Sequence, residues 1–223
     1  MKTRYLLRSL AGLTLLLAVT VYCAVSMDLM RASYVRLWGN ESVSKFDAWQ
    51  GLVAGLQGSD DSTRIRRIND FFNRKILFAD SIDIWRDKDY WPTPAETLGR
   101  GMANCTGFAL AKYYSLRLAG MDSAKLRLVY VRAQTGPAAA VAPVAHMVVA
   151  YYAQPDVEPL ILDNLIADVR PASRRPDLRP VFSFSESGIY ERVVDATSNP
   201  VANTSRYSKW ESFLNKATEQ GFR

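Results

Sequence analysis

The sequence contains very little histidine and cysteine. It has one histidine, His146, and two cysteines, Cys23 and Cys105. Because Cys23 lies in an apolar leader, the rest of the chain keeps a single cysteine and cannot form an internal disulfide. The same shortage means that thiol chemistry outside the leader depends on one residue pair, with Cys105 as the nucleophile and His146 as its base.

The cysteine count alone leaves two interpretations of Cys105 open. Free cysteine is among the most buried residue types, so Cys105 could be a small apolar core residue. Alternatively it is a nucleophile, which needs an imidazole to take the thiol proton and a third group to orient the ring. Asp163 is the candidate for that third role. The predicted catalytic set is therefore Cys105, His146 and Asp163.

The N-terminal segment has the layout of a secretory signal. Three basic residues precede an uncharged run from Leu10 to Met27, and Ala24-Val25-Ser26 is a suitable small-x-small cleavage site. The run is also near the lower length limit of a membrane-spanning helix, so a retained inner-membrane anchor is the alternative. Lipidation of Cys23 is disfavoured, because Tyr22 stands where lipidation signals have a small residue. We predict that residues 1–26 are a signal peptide or membrane anchor.

Charge and length limit what the remaining chain can be. Residues 1–26 carry three positive charges and no negative ones, so their removal lowers the net charge from +6 to about +3. A nucleic-acid partner is therefore not expected. The chain has 223 residues, 48% of them hydrophobic, which suits one domain with a substantial core. We predict a single domain over residues 27–223.

Apolar periodicity predicts several helices. Apolar residues recur at helical spacing between Phe46 and Leu56 and again between Ile65 and Phe72, with a break at residues 58–62. Residues 80–100 are irregular, aromatic and proline-containing, which predicts a loop. A third helix begins at Cys105 and ends at Gly120. A last amphipathic stretch, Tyr207 to Thr218, predicts a closing helix.

Three runs after Gly120 are typical of strands: 126–131, 146–152 and 160–163. Residues 134–144 predict a long hairpin connection between the first two. We therefore expect an α+β fold in which the Cys105 helix packs on an antiparallel sheet, as in papain-like or transglutaminase-like cores. At the start of a helix, unpaired N–H groups and the helix dipole favour a thiolate. Spacing alone still allows His146 to be a structural residue and Asp163 a turn former.

Five segments resemble the bacterial transglutaminase-like cysteine proteinases, a family that includes the LapG-type periplasmic proteases. They are Asp89-Tyr90-Trp91-Pro92-Thr93-Pro94-Ala95-Glu96, Lys125 to Val131, Ala145-His146-Met147-Val148, Leu162-Asp163-Asn164-Leu165 and Arg174-Arg175-Pro176-Asp177-Leu178. The resemblance extends from about Phe46 to Tyr190. It implies a periplasmic endopeptidase that cuts a large surface adhesin, typically at a di-alanine site, and thereby disperses biofilm.

The resemblance also implies roles for single residues. Cys105 would be the nucleophile, His146 the general base and then acid, and Asp163 the group that orients the imidazole. The tetrahedral oxyanion needs preorganised donors, of which the backbone N–H of Cys105 is the natural one. Trp91 could supply a second donor, but a hydrophobic role lining the cleft is the favoured interpretation.

Calcium is the point at which the chain departs from the family pattern. Relatives bind calcium through acidic residues that flank the nucleophile, whereas this chain has Asn104 and Thr106 at those positions. Calcium prefers several oxygen ligands that include charged ones. The oxygens of Asn104 and Thr106 could still coordinate calcium, but only weakly, so we expect no tight site there. No cofactor is required for the chemistry.

The resemblance implies a second partner besides the adhesin, an inner-membrane receptor of the LapD type that binds cyclic di-GMP in the cytoplasm and sequesters the protease. Two other functions stay open. One is a catalytically silent module that binds a receptor or adhesin without cutting it. The other is acyl transfer to an amine on the same core, since only the second nucleophile differs.

Overall fold

The computed structural model describes residues 27–136, 142–191, 196, 200–202 and 208–222. The predicted leader, residues 1–26, lies outside these ranges, as does the middle of the connection that follows residue 136. Within the described ranges, no helix combines the length and the apolar character that crossing a membrane requires.

The helices predicted from apolar periodicity are confirmed. Residues 27–38 are helical and form α1. The next two helices are α2, Val43–Gly55, and α3, Asp61–Lys75. Helix α3 begins inside the predicted break, because Asp60 caps it by accepting hydrogen bonds from the backbone N–H and the hydroxyl of Thr63. The closing helix, α7, spans Ser208–Glu219, and Tyr207 lies outside the described residues.

The prediction of a continuous loop over residues 80–100 is wrong. The segment contains two short helices, α4, Ser81–Trp85, and α5, Pro94–Arg100. Helix α5 starts with a capping box, in which the Thr93 hydroxyl accepts from the N–H of Glu96 and the Glu96 carboxylate accepts from the N–H of Thr93. Pro94 occupies the first helical position, where its missing N–H costs nothing. The sequence carries the signal for this helix, since Thr93 and Glu96 have the spacing of a capping box and Pro94 suits the first helical position.

Six antiparallel strands form the main sheet, in the order β6-β5-β4-β3-β7-β8. Strands β3, β4 and β5 lie where the sequence predicts them, and β7 adds a strand that the pattern did not indicate. Two further strands, β1 and β2, pair in parallel. The bounds are β1 Leu77–Phe78, β2 Met102–Ala103, β3 Leu126–Ala133, β4 Val144–Tyr151, β5 Leu160–Leu162, β6 Arg170–Pro171, β7 Leu178–Ser185 and β8 Gly188–Tyr190.

Helix α6, Cys105–Leu118, is the centre of the main core. It packs against β3 and β4 on one side and against α2, α3 and α5 on the other. Its residues from Gly107 to Leu116 are all buried. The opposite sheet face has a second, smaller apolar cluster, so both faces of β4 are buried beyond its first two residues. The predicted α+β fold, with the Cys105 helix packed on an antiparallel sheet, is confirmed.

Tight packing around Gly107 fixes the first turn of α6. A Cβ atom at this position would lie 2.8 Å from both Ala103 Cβ and Pro92 Cγ. Real Cβ atoms essentially never approach other atoms so closely. The absence of a side chain at residue 107 therefore lets the start of α6 lie close to the segments before it.

We predict that Gly107→Ala destabilises the protein by about 1–3 kcal/mol, because a well-packed core resists an added methyl group. Gly51→Ala is the matched control, since Gly51 is also helical and has open space around its Cα. That variant should gain up to about 1 kcal/mol from helix propensity. Urea unfolding of both variants measures the difference. Equal stability of the two would show that α6 does not pack as described.

Candidate active site

Cys105 is the first residue of α6 and is partly buried. Asn104 caps the helix by accepting a hydrogen bond from the N–H of Gly107 at 3.0 Å. The segment before it is held by β2, where the carbonyl of Ala103 accepts from the N–H of Ala79 at 3.1 Å. The thiol therefore lies at a capped helix start, as the sequence predicts, where the positive end of the helix dipole favours the thiolate.

His146 is the third residue of β4, the strand that follows the hairpin connection, and it pairs with Val131 of β3. Its Nε2 lies 2.7 Å from Oδ1 of Asp163, the residue that directly follows β5. Both side chains are almost fully buried. Because an ionised carboxylate can only accept, Nε2 carries the proton of this bond and Nδ1 is left to face Cys105.

The Asp163 carboxylate has donors on both oxygens. Oδ1 also accepts from the backbone N–H groups of Asn164 at 2.6 Å and Leu165 at 3.2 Å. Oδ2 accepts from Nη2 of Arg175 at 2.6 Å, and this guanidinium also binds Asp177. Burial alone would raise the pKa of Asp163, but His146 and Arg175 lower it to about 2. Asp163 is therefore ionised at every pH relevant to catalysis.

The same contacts prepare the thiol and the imidazole. Burial favours the neutral form of each, but their mutual interaction outweighs it, and for His146 the hydrogen bond and charge of Asp163 act in the same direction. The pKa of His146 rises to about 9, and that of Cys105 falls below its usual range. The backbone N–H of Met147 and the side chain of Thr106 also hydrogen-bond the sulfur. The arrangement favours a thiolate–imidazolium pair near neutral pH.

The structure thus brings together all three residues that the sequence predicts for catalysis. It also brings in Arg175, to which sequence reasoning gave no role. Arg175 lies within the Arg174-Arg175-Pro176-Asp177-Leu178 segment that carries the family resemblance, yet a basic residue in a turn-forming stretch is normally solvated. Its burial, at 2% exposure, is what distinguishes it from Arg174, which is exposed.

A cavity of about 520 Å³ opens beside Cys105 and His146. Four apolar side chains line it and remain 40–57% exposed: Phe78, Ile82, Val144 and Leu165. Asp80 and Lys88 add one charge of each sign. An apolar, open cleft next to a nucleophile suits an extended peptide with apolar side chains.

The structure places Trp91 away from the cleft that the sequence predicts it to line, and it places Asn104 and Thr106 beside Cys105. Trp91 is buried against Phe184 and Trp210 and is not among the residues lining this cavity. The Asn104 oxygen accepts the Gly107 N–H, and the Thr106 side chain hydrogen-bonds Cys105. Across the described ranges no three acidic, histidine or cysteine side chains are grouped to hold a metal ion. Neither Asn104 nor Thr106 carries the charge that calcium prefers in its ligands, so the two residues fit a calcium site poorly.

The chain is similar to solved structures of LapG from Legionella pneumophila. One has 28% identity and a TM-score of 0.71, covering 86% of this chain and 96% of LapG. The EGTA-treated form has 29% identity and a TM-score of 0.73, with the same coverage. The calcium-bound form has 28% identity and a TM-score of 0.71, covering 86% of this chain and 98% of LapG.

No curated protein matches the sequence. The family model described as bacterial transglutaminase-like cysteine proteinase matches residues 54–176, which include Cys105, His146, Asp163 and Arg175. This is more than half of the chain, and the fold agrees with that of LapG over most of its length. The chain therefore belongs to the bacterial transglutaminase-like cysteine proteinases.

Proposed function

We propose that the protein is an exported, periplasmic cysteine endopeptidase that cleaves the N-terminal region of a large surface adhesin, at a di-alanine site, and so controls biofilm attachment. Membership of a cysteine proteinase family and similarity to LapG support the reaction class. The observation that carries the proposal is the 2.7 Å contact between His146 and the ionised Asp163, with the Cys105 thiol hydrogen-bonded to the same imidazole.

In this mechanism the Cys105 thiolate attacks the scissile carbonyl carbon, and the backbone N–H of Cys105 donates to the resulting oxyanion. The His146 imidazolium then protonates the leaving amine, which departs and leaves a thioester on Cys105. Neutral His146 next takes a proton from water, whose oxygen attacks the thioester carbon. Collapse of this second intermediate releases the acid and restores the thiolate–imidazolium pair.

The cleft next to Cys105 supports a polypeptide substrate. Its apolar wall is open to solvent, and its volume of about 520 Å³ accommodates several side chains of an extended segment. A catalytically silent binding module would have no chemical use for a buried Asp163–His146 pair beside a thiol. Acyl transfer to an amine shares the first half of the mechanism, so the product of the reaction distinguishes it from hydrolysis.

We further propose an inner-membrane receptor of the LapD type as the regulatory partner. The support is the similarity to LapG over 86% of this chain.

Our proposal for calcium is a separate one. One LapG structure is calcium-bound, but Asn104 and Thr106 here use their side chains on Gly107 and Cys105. We propose that the protein acts without calcium at these two positions.

The state of the thiol can be measured without a substrate. In the full chain carrying Cys23→Ser, the iodoacetamide alkylation rate of Cys105 should reach half its maximum well below the free-thiol pKa of ~8.5, because His146 stabilises the thiolate. His146→Ala should move the midpoint to ~8.5 or above, since burial then acts alone. A wild-type midpoint at the free-thiol value would contradict the activated pair.

The proposed reaction predicts one cut in a purified adhesin N-terminal fragment that contains a di-alanine site. Cys105→Ala and His146→Ala should abolish the cut, and mass spectrometry should find free carboxyl and amino ends at the new termini. An amide-linked product in the presence of added amine would instead indicate acyl transfer. An intact fragment with wild type and both variants, with and without calcium, would favour the binding module.

Cleavage should persist when calcium is removed. We expect the rate in excess EGTA to stay within about twofold of the rate in calcium, because Asn104 and Thr106 are uncharged and the described part of the chain groups no three acidic, histidine or cysteine side chains for a metal ion. The measurement is the cleavage rate of the same enzyme sample in EGTA and in calcium. Complete loss of cleavage in EGTA, reversed by calcium, would show that calcium binds through other residues.

A further inference from the structure

Lys112 is a charged side chain in the middle of the buried helix α6. It lies seven residues, or about two helical turns, after Cys105. Its side chain is 1% exposed. A buried cation is expensive, and an apolar side chain of similar length would pack here at lower cost. The position therefore calls for a specific use of the ammonium group.

Three oxygens surround the Lys112 ammonium within hydrogen-bond distance. They are Oδ1 of Asn69 at 2.8 Å, Oδ1 of Asn73 at 2.7 Å and the main-chain carbonyl of Asp163 at 2.9 Å. An ammonium has three N–H donors, so each acceptor receives one. A neutral amine has only two, and its lone pair would face the third oxygen. The geometry therefore requires the protonated form.

Charged neighbours help to keep Lys112 protonated. Burial lowers the pKa of Lys112, and the carboxylates of Asp163 and Asp70 oppose it, so that the pKa with all three effects is about 7. Asp70 belongs to α3, and Asp163 follows β5. The Phe108 ring, one turn before Lys112 on α6, lies 5.6 Å from the ammonium and adds a further favourable contact.

The two asparagines on α3 bind the same loop as Lys112. Asn73 Nδ2 donates to the carbonyl of Asp163 at 2.8 Å, so that this carbonyl accepts two hydrogen bonds. Asn69 Nδ2 donates to the carbonyl of Ala167 at 2.6 Å. Residues 163–167 are therefore held at both ends by one polar cluster, which consists of Lys112, Asn69 and Asn73.

We propose that Lys112 is a positioning residue for Asp163. Together with Asn69 and Asn73, it fixes the main chain of Asp163 so that the carboxylate meets Nε2 of His146. The Arg175 guanidinium holds the carboxylate itself, whereas Lys112 holds the main-chain carbonyl. Because α6 also carries Cys105, one rigid helix sets the position of the nucleophile relative to the residue that orients its base. This inference rests on the proposed cysteine peptidase function.

The test compares Lys112→Met and Asn73→Ala with wild type in the full chain carrying Cys23→Ser. Lys112→Met removes the donor and its charge, while Asn73→Ala removes a donor to the same carbonyl without changing any charge. Arg117→Met is the control, because Arg117 lies on the same helix but pairs with Glu186. For each variant we would measure kcat and KM for adhesin cleavage, the pH profile of Cys105 alkylation, and the melting temperature.

We expect kcat to fall by about 10- to 100-fold in Lys112→Met, since small misplacements of catalytic groups are costly, and less in Asn73→Ala. KM should not change, because Lys112 does not line the cleft. The alkylation midpoint should rise by roughly one pH unit in Lys112→Met and in the same direction in Asn73→Ala, as His146 loses support from Asp163. Arg117→Met should match wild type in kcat and in the alkylation midpoint.

A lower melting temperature with unchanged kcat and alkylation midpoint in both variants would overturn the proposal and leave a purely structural role. A midpoint shift in Lys112→Met alone would assign the effect to the lost charge, which also overturns it. If Lys112→Met does not fold, Asn73→Ala alone tests the proposal, and an unchanged kcat and alkylation midpoint in that variant overturn it. Absence of cleavage by wild type would refute the peptidase function, while the alkylation profiles still test the link from Lys112 to the Cys105–His146 pair.

Discussion

The buried carboxylate of Asp163 is the constraint on which the rest of the site depends. A carboxylate removed from water is stable only if its oxygens are saturated with donors, and here His146, Arg175 and two backbone N–H groups provide them. His146 lies in β4, Arg175 lies shortly before β7, and the two N–H groups belong to the residues that directly follow Asp163. The requirement to satisfy one buried charge therefore ties β4, the end of β5 and the segment before β7 into one arrangement.

Arg175 and His146 both bind the Asp163 carboxylate, and the presence of two cationic partners affects the acidity of His146. Without Arg175, the imidazolium would be the only cation bound to the carboxylate, which would then hold the imidazolium proton more strongly. With a second cation on Oδ2, the imidazolium is stable enough to accompany a thiolate but can still give its proton to a leaving amine. A general acid works best when its pKa is not far from the working pH, and two cations on one carboxylate move His146 in that direction.

Sequence reasoning found the parts of the site that follow local rules. The helix start at Cys105 and the strands around His146 were predictable from apolar periodicity, and their roles from chemistry and family resemblance. Lys112 and Arg175 were not, because a charged residue in a sequence is normally expected to be solvated, and only the three-dimensional contacts reveal its burial. The strand β7 was missed because Pro180 interrupts its alternation, and the sheet accommodates it at a register shift.

The pairing of β3 with β4 allows the shape of the cleft to vary independently of the catalytic geometry. Antiparallel pairing from Leu126 with Tyr151 to Ala133 with Val144 fixes which way His146 points, and a slip of one residue would turn it to the other face. The ladder ends where Ala133 pairs with Val144, and Thr135, next to this end, lines the cleft together with Val144. Insertions or deletions in the connection between the two strands can therefore reshape the substrate cleft during evolution while the catalytic geometry is inherited unchanged.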